Sequence, residues 1–199
     1  MPAGVQPPSR PGFPATHDLL ETAFERLITR LDALLQQRSF ILGERMTLAD
    51  AAVYGQLGMN LSDPSASRWI QSRAPALYAW LQRLHQGDHE LLNARGELQI
   101  DAALTPLLAE ISRVFVPLMQ QNLTAYERLK GQGETVFNEA AFNTGRSVYI
   151  GEIDGQPFCH VAKPFQAKVW RQRLRQWQVL PDTLKQRTEL SPLAKLLPD

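Results

Sequence analysis

Apolar residues recur at spacings of three and four from Thr16 onward. Leu20, Phe24, Leu27, Leu31, Leu34 and Leu35 form one stripe, which predicts a long amphipathic helix to about Gln37. Glu25, Arg26, Arg30 and Asp32 fall mostly outside that stripe. The next stretch, FILGERMTLAD at 40–50, predicts an extended FIL segment, a turn at Gly43 and a helix start. Thr47 is a good N-cap, and Asp50 three residues later can return a bond to the Thr47 N–H, a capping box with Asp in place of Glu. Met46 can staple onto Ala51. The helix that follows, LADAAVYGQLGMN, is rich in small residues, which predicts close packing and a central buried position. A short helix is expected between Pro64 and Pro75. Another starts with Pro75 at its first position and has Leu77, Trp80, Leu81 and Leu84 as its apolar face. A longer helix is expected from about Asp101 to Lys130. Its stripe is Leu104, Leu107, Leu108, Ile111, Phe115, Leu118 and Met119, with a kink at Pro117.

The pattern then changes period. SVYIGEIDGQPFCHVA reads as a β-hairpin turning at Asp154-Gly155. With that turn, Ile153 pairs with Gln156, Ile150 with Cys159 and Val148 with Val161. Val148, Ile150, Cys159 and Val161 are the expected apolar face, with the Tyr149–His160 pair and Gly151 opposite Phe158 on the other. PFQAKVWRQRLRQW follows as a helix with Pro164 at its start and Trp170, Leu174 and Trp177 on one side. The fold class is therefore mainly α, a helical bundle with a C-terminal β-hairpin and helix. The segments are a proline-rich leader at 1–15, expected to be disordered, a helical domain at 16–131 and an extension at 132–199. The hairpin falls at about 147–162 and the last helix at about 164–178.

Composition narrows the function classes. The 199 residues are 44% hydrophobic and 21% charged, as in a globular protein with one sizeable core. A net charge of +1 gives no global case for nucleic acid or an anionic membrane as partner. No run reaches the roughly 18 apolar residues of a membrane span. A single cysteine, Cys159, excludes an internal disulfide and suits a cytoplasmic setting. It sits on the expected apolar face and reads as a buried thiol rather than a nucleophile. His85 and His89 have a helical metal-ligand spacing, but Gly87 and Asp88 interrupt the helix and no third ligand is evident. They read as exposed polar residues, and no metal is expected. Residues 163–187 hold seven Lys/Arg against one acid, Asp182; Lys168, Arg171 and Arg175 share a helical strip that reads as a solvated face. No nucleophile elbow, phosphate loop or dinucleotide fingerprint is present, so no catalytic residue is assigned.

Leu42-Gly43-Glu44-Arg45-Met46-Thr47-Leu48-Ala49-Asp50, followed by Pro75, Trp80 and Arg83, resembles the all-helical C-terminal domain of glutathione transferases over about residues 17–85. In that family an LG-x-x-x-[ST]-x-A-D stretch opens the central helix, and Thr47 and Asp50 are its structural capping box. The resemblance implies a helical half that lines part of a hydrophobic substrate pocket. A thioredoxin-like domain would supply the glutathione site and the thiol-activating residue. Nothing before Thr16 matches that domain. The expectation is a truncated or stand-alone relative, inactive alone, with no cofactor in this chain and glutathione implied for a full-length relative. The partners implied are a hydrophobic small molecule and either the missing thioredoxin-like domain or a homo-oligomer. The alternative is a non-catalytic protein-interaction or hydrophobic-ligand-binding module on the same fold. Pocket candidates are Phe24 and Phe115 on the apolar faces of the first long helix and the kinked one. In or beside the hairpin they are Tyr149, His160 and Arg146, although cross-strand packing accounts for Tyr149 and His160 as well.

Overall fold

The computed structural model describes residues 16–88, 92–138, 140–141 and 144–197. The proline-rich leader and His89 lie outside the described residues. The chain is mainly helical with one two-stranded sheet. It forms two compact units: described residues 22–107 make the first, and 16–21 with 108–197 make the second.

In the first unit, α1 (His17–Leu35) contributes its residues from Thr22 onward and buries Ile28, Leu31 and Leu34. Leu20, expected on the apolar stripe, is exposed, and Ile28 takes a place on the buried face instead. Asp32 departs further from expectation, because it is buried. Its Oδ1 accepts from the backbone N–H groups of Ala76 (2.7 Å) and Leu77 (3.0 Å), and its Oδ2 accepts from Gln36 Nε2 at 2.6 Å. These bonds explain the burial. Helix α4 (Pro75–His85) is preceded by Ala74, which has no capping side chain, so a carboxylate from another helix satisfies its first free amides. The expected face of α4, Leu77, Trp80, Leu81 and Leu84, is buried. Helix α3 (Pro64–Arg73) starts at Pro64, with the Asp63 side chain accepting from Ser65 and Ala66 N–H groups.

Helix α2 (Leu48–Leu57) begins where expected, and both halves of the Thr47/Asp50 capping box are in place. It is not the buried central helix that its small residues suggest. Only Asp50 and Leu57 are buried, Ala51, Ala52 and Gly55 are exposed, and Leu48 is 82% exposed. Small side chains permit close approach, but they do not supply the neighbour. Nor is FIL extended. Phe40 and Gly43 exchange backbone hydrogen bonds (3.0 and 3.2 Å), which closes residues 40–43 into a tight turn.

Beyond a 3₁₀ turn at Ala102–Leu104, the expected long helix divides into α5 (Thr105–Arg113) and α6 (Phe115–Gly131). The break at Val114 lies one turn before Pro117. A proline there has no N–H for the Arg113 carbonyl, and its ring crowds that carbonyl. Among the described residues, Ala102–Gly131 is one helical stretch long and apolar enough to cross a bilayer by length and composition. Core helices meet the same criterion, and within the second unit this stretch buries Val116, Met119, Asn122 and Ala125.

In the second unit, β1 (Val148–Ile153) pairs antiparallel with β2 (Gln156–Val161) in the expected register, with Val148 opposite Val161 and Ile153 opposite Gln156. Asp154 and Gly155 both have positive φ (55° and 72°), as a type I′ turn requires. Val161 is buried as expected, but most of the buried side chains lie on the opposite face. Ile150 is 71% exposed and Cys159 only partly buried, while Tyr149, Ile153 and Phe158 are buried. They cluster with Ala125 and Ala162, and with Leu118, Tyr126 and Leu129 from α6. Gly151 accounts for the choice of that face. A Cβ there would lie 2.5 Å from Gln121 Oε1 and 2.6 Å from Phe158 Cζ, so only glycine lets this face lie against α6. Helix α7 (Pro164–Gln178) then packs Ala167, Trp170 and Trp177 inward; Trp170 joins Val116 and Met119. Short helices α8 (Asp182–Lys185) and α9 (Ser191–Ala194) follow.

Candidate functional site

Two adjacent amides on α6 hold the site together. Gln121 donates through Nε2 to the Glu152 carbonyl (2.8 Å) and accepts at Oε1 from the Glu152 N–H (2.8 Å), so it pairs with β1 as a neighbouring strand would. Asn122, 0% exposed, does the same one element later. Its Oδ1 accepts from Lys163 N–H at 2.7 Å and its Nδ2 donates to Lys163 O at 3.1 Å, at the residue that precedes α7. A buried amide satisfied on both sides fixes orientation, because losing either partner strands a desolvated group. Sequence reasoning passed over both residues. The readable signal was a run of three amides, Gln120-Gln121-Asn122, within a helix that is otherwise apolar on either side up to Thr124.

Above this clamp, Tyr149, Phe158 and His160 form an edge-to-face trio. Centroid distances are 5.8 Å for Tyr149–Phe158, 6.3 Å for Tyr149–His160 and 6.5 Å for Phe158–His160. The Tyr149 hydroxyl is closed off from solvent and has no hydrogen-bond partner among the described residues. Burial, with the Cys159 thiol nearby, pushes its pKa up to about 12, so it stays a neutral donor. Burial also lowers the His160 pKa below 6.5; its Nδ1 meets the Val161 carbonyl at 2.8 Å, which opposes the shift, and Lys163 adds to it. With Nδ1–H donating there, the Nε2 lone pair is left free of its own proton.

Between α6 and β1 runs a shallow, mostly apolar groove lined by Gln120, Gln121, Thr124, Ala125, Arg128, Tyr149 and Ile150. Of the residues singled out from sequence, Tyr149 lines this groove, while His160 lies edge-on to Tyr149 and is not among the lining residues. Arg146 turns away and makes a bidentate pair with Glu134 (Nη2–Oε1 2.8 Å, Nε–Oε2 3.1 Å). That carboxylate also accepts from the Thr135 and Val136 amides and titrates below the usual carboxylate range, led by the Val136 bond and then Arg146. Phe115, 48% exposed, lies edge-on to Trp170 at 6.0 Å. Phe24 belongs to the first unit and stacks on Trp69 at 5.7 Å. None of Phe24, Phe115 and Arg146 is among the groove's lining residues. Among the described residues no three His, Cys, Asp or Glu side chains gather as a metal site, and His85 bonds through Nδ1 to the Tyr54 hydroxyl at 3.0 Å.

Comparison with known proteins adds one match. Residues 14–83 fit the family described as glutathione S-transferase, C-terminal domain. No curated protein and no solved structure matches the chain. The matched stretch contains α1, the Thr47/Asp50 box and most of α4. The match supports a glutathione S-transferase C-terminal domain over residues 14–83 of this chain.

Proposed function

We propose that this chain is a glutathione-transferase-like protein that binds a small apolar molecule in the α6–β1 groove and does not transform it alone. The observation that carries the reading is the groove itself: an apolar trough whose floor is set by the Gln121 clamp, with Tyr149 in its wall and the exposed Ile150 at its lip. Ligand pockets characteristically combine apolar walls with a few fixed polar groups. The chemistry of those groups favours binding over catalysis. A phenol held near 12 is a poor base at neutral pH, and activating a thiol needs a group matched to that pH. A second reading, a protein-interaction module, draws support from the first unit. There Leu48, Ala52, Gly55 and Met59 follow helical spacing on an exposed face of α2 and the turn after it.

Titration with the neutral fluorescent probe N-phenyl-1-naphthylamine, beside a glutathione–chloroarene conjugation assay, tests the proposal. Saturable probe binding that an Ile150→Glu variant weakens, with conjugation no faster than free thiol, is expected. Saturable turnover, or binding indifferent to Ile150→Glu, would refute it.

A further inference from the structure

The segment bearing the family motif holds a feature the capping box does not use. Gly43 has φ +118° and forms an antiparallel bridge with Leu98. The Glu44 N–H donates to Glu97 O (3.1 Å) and the Gln99 N–H to Leu42 O (2.8 Å), so residues 42–44 and 97–99 are zipped backbone to backbone. Two glycines make room for this. A Cβ on Gly43 would lie 2.5 Å from Glu97 O, and one on Gly96 would lie 2.2 Å from Glu44 Cβ. Continued by two residues, the register carries Met46 toward Arg95 and places Arg45 beside them. Arg45, Met46, Leu92, Asn93, Ala94 and Arg95 line one pocket, all within the first unit.

Both guanidinium groups there lack a carboxylate or other hydrogen-bond partner among the described residues. The chain elsewhere pairs its arginines readily, as in Arg38–Asp101, Arg83–Asp88, Arg113–Asp154 and Arg171–Glu127. Glu44 and Glu97 belong to the same zipper but do not line the pocket, and the Asp50 carboxylate is occupied by the Ile41 and Thr47 amides. Two cations converging on one cavity repel each other unless an anion lies between them, and planar forked donors suit an oxyanion. The N-terminal end of α2, two residues past Met46, adds positive potential. Met46, Leu92 and Ala94 supply apolar wall.

We propose that this pocket binds an oxyanion borne on a small apolar body, an aryl phosphate or aryl carboxylate, held between Arg45 and Arg95. The assignment is independent of the α6–β1 groove.

Calorimetric titration of the full chain at fixed ionic strength, with phenyl phosphate, benzoate and neutral phenol as probes, tests it. Saturable binding of at least one anionic probe is expected, with phenol binding far more weakly. Arg45→Gln and Arg95→Gln should each weaken it by about tenfold or more. Lys168→Gln, an exposed cation on α7, should leave it unchanged. Both arginines are exposed, so the variants should unfold at the wild-type temperature. Equal binding of phenol, a heat that is merely linear in ligand, or affinity unaltered in both arginine variants would overturn the assignment.

Discussion

Replacing Asp50 by Ala removes the carboxylate on which the start of α2 is built. Asp50 is 0% exposed. Its Oδ1 accepts from the Ile41 N–H at 2.8 Å, and its Oδ2 accepts from the Thr47 N–H at 2.8 Å and from the Thr47 hydroxyl at 2.6 Å. Alanine leaves the buried Ile41 amide without a partner, which costs about 1–3 kcal/mol. The Thr47 amide is half-buried and regains some water, so its loss resembles that of an ordinary cap, about 1 kcal/mol. The hydroxyl can rotate to another acceptor. Relief from holding an ion out of water offsets part of the total. The net expectation is about 1–3 kcal/mol, a fall of about 0.5–1.5 M in urea midpoint at an m-value near 2 kcal/mol per M. Asp50→Asn keeps one acceptor but turns an NH₂ toward a second donor, and should fall between wild type and Ala. Urea unfolding followed by circular dichroism gives the midpoints, and amide exchange at Ile41 gives the local effect. An Ala midpoint within error of wild type at unchanged slope, with Ile41 exchange no faster, would refute the buried-carboxylate reasoning.

Three further outcomes follow from the hairpin. Gly151→Ala should destabilise by about 1–3 kcal/mol in urea unfolding, because its Cβ meets the Gln121 amide and the Phe158 ring at 2.5–2.6 Å; a neutral result would contradict the close approach. Tyr149→Phe deletes a hydroxyl that is buried and has no partner among the described residues, so its thermal midpoint should equal or exceed wild type, and a clear loss would reveal a partner for that group. His160 has a folded pKa below its unfolded value, so the unfolded chain binds the proton more readily. Stability tied to His160 is present above about pH 6.5 and is lost as pH falls from there toward the folded pKa. Relative to wild type, His160→Gln should flatten the decline in stability below pH 6.5, and parallel curves would contradict the assignment.

Legibility in the sequence divides along physical lines. Features set within a few residues were readable. Asp154-Gly155 fixes the hairpin register through positive φ at two positions, Pro75 marks the start of α4, and Pro117 forces the break at Val114. The Thr47/Asp50 box was readable for the same reason, though its third bond, to Ile41 nine residues earlier, was not. Features set by what packs against an element were not readable. The hairpin's two faces are both apolar enough to be buried, and Gln121 and Gly151 decide between them only once α6 is in place. Asp32 read as a surface acid because the amides it caps lie 44 and 45 residues away. The same limit applied to the site. Tyr149 and His160 are cross-strand neighbours and were found together, whereas Phe24, Phe115 and Arg146 share only a residue type suited to pockets. Each packs or pairs with a residue that does not line the groove.

The most direct test of the binding account is an amide NMR titration of the full chain with N-phenyl-1-naphthylamine. The account predicts saturable shifts centred on Thr124, Ala125, Arg128, Tyr149 and Ile150, the residues of the α6–β1 groove, with little change at Phe24 or Trp69. Shifts confined to the first unit, or none at saturating probe, would contradict it.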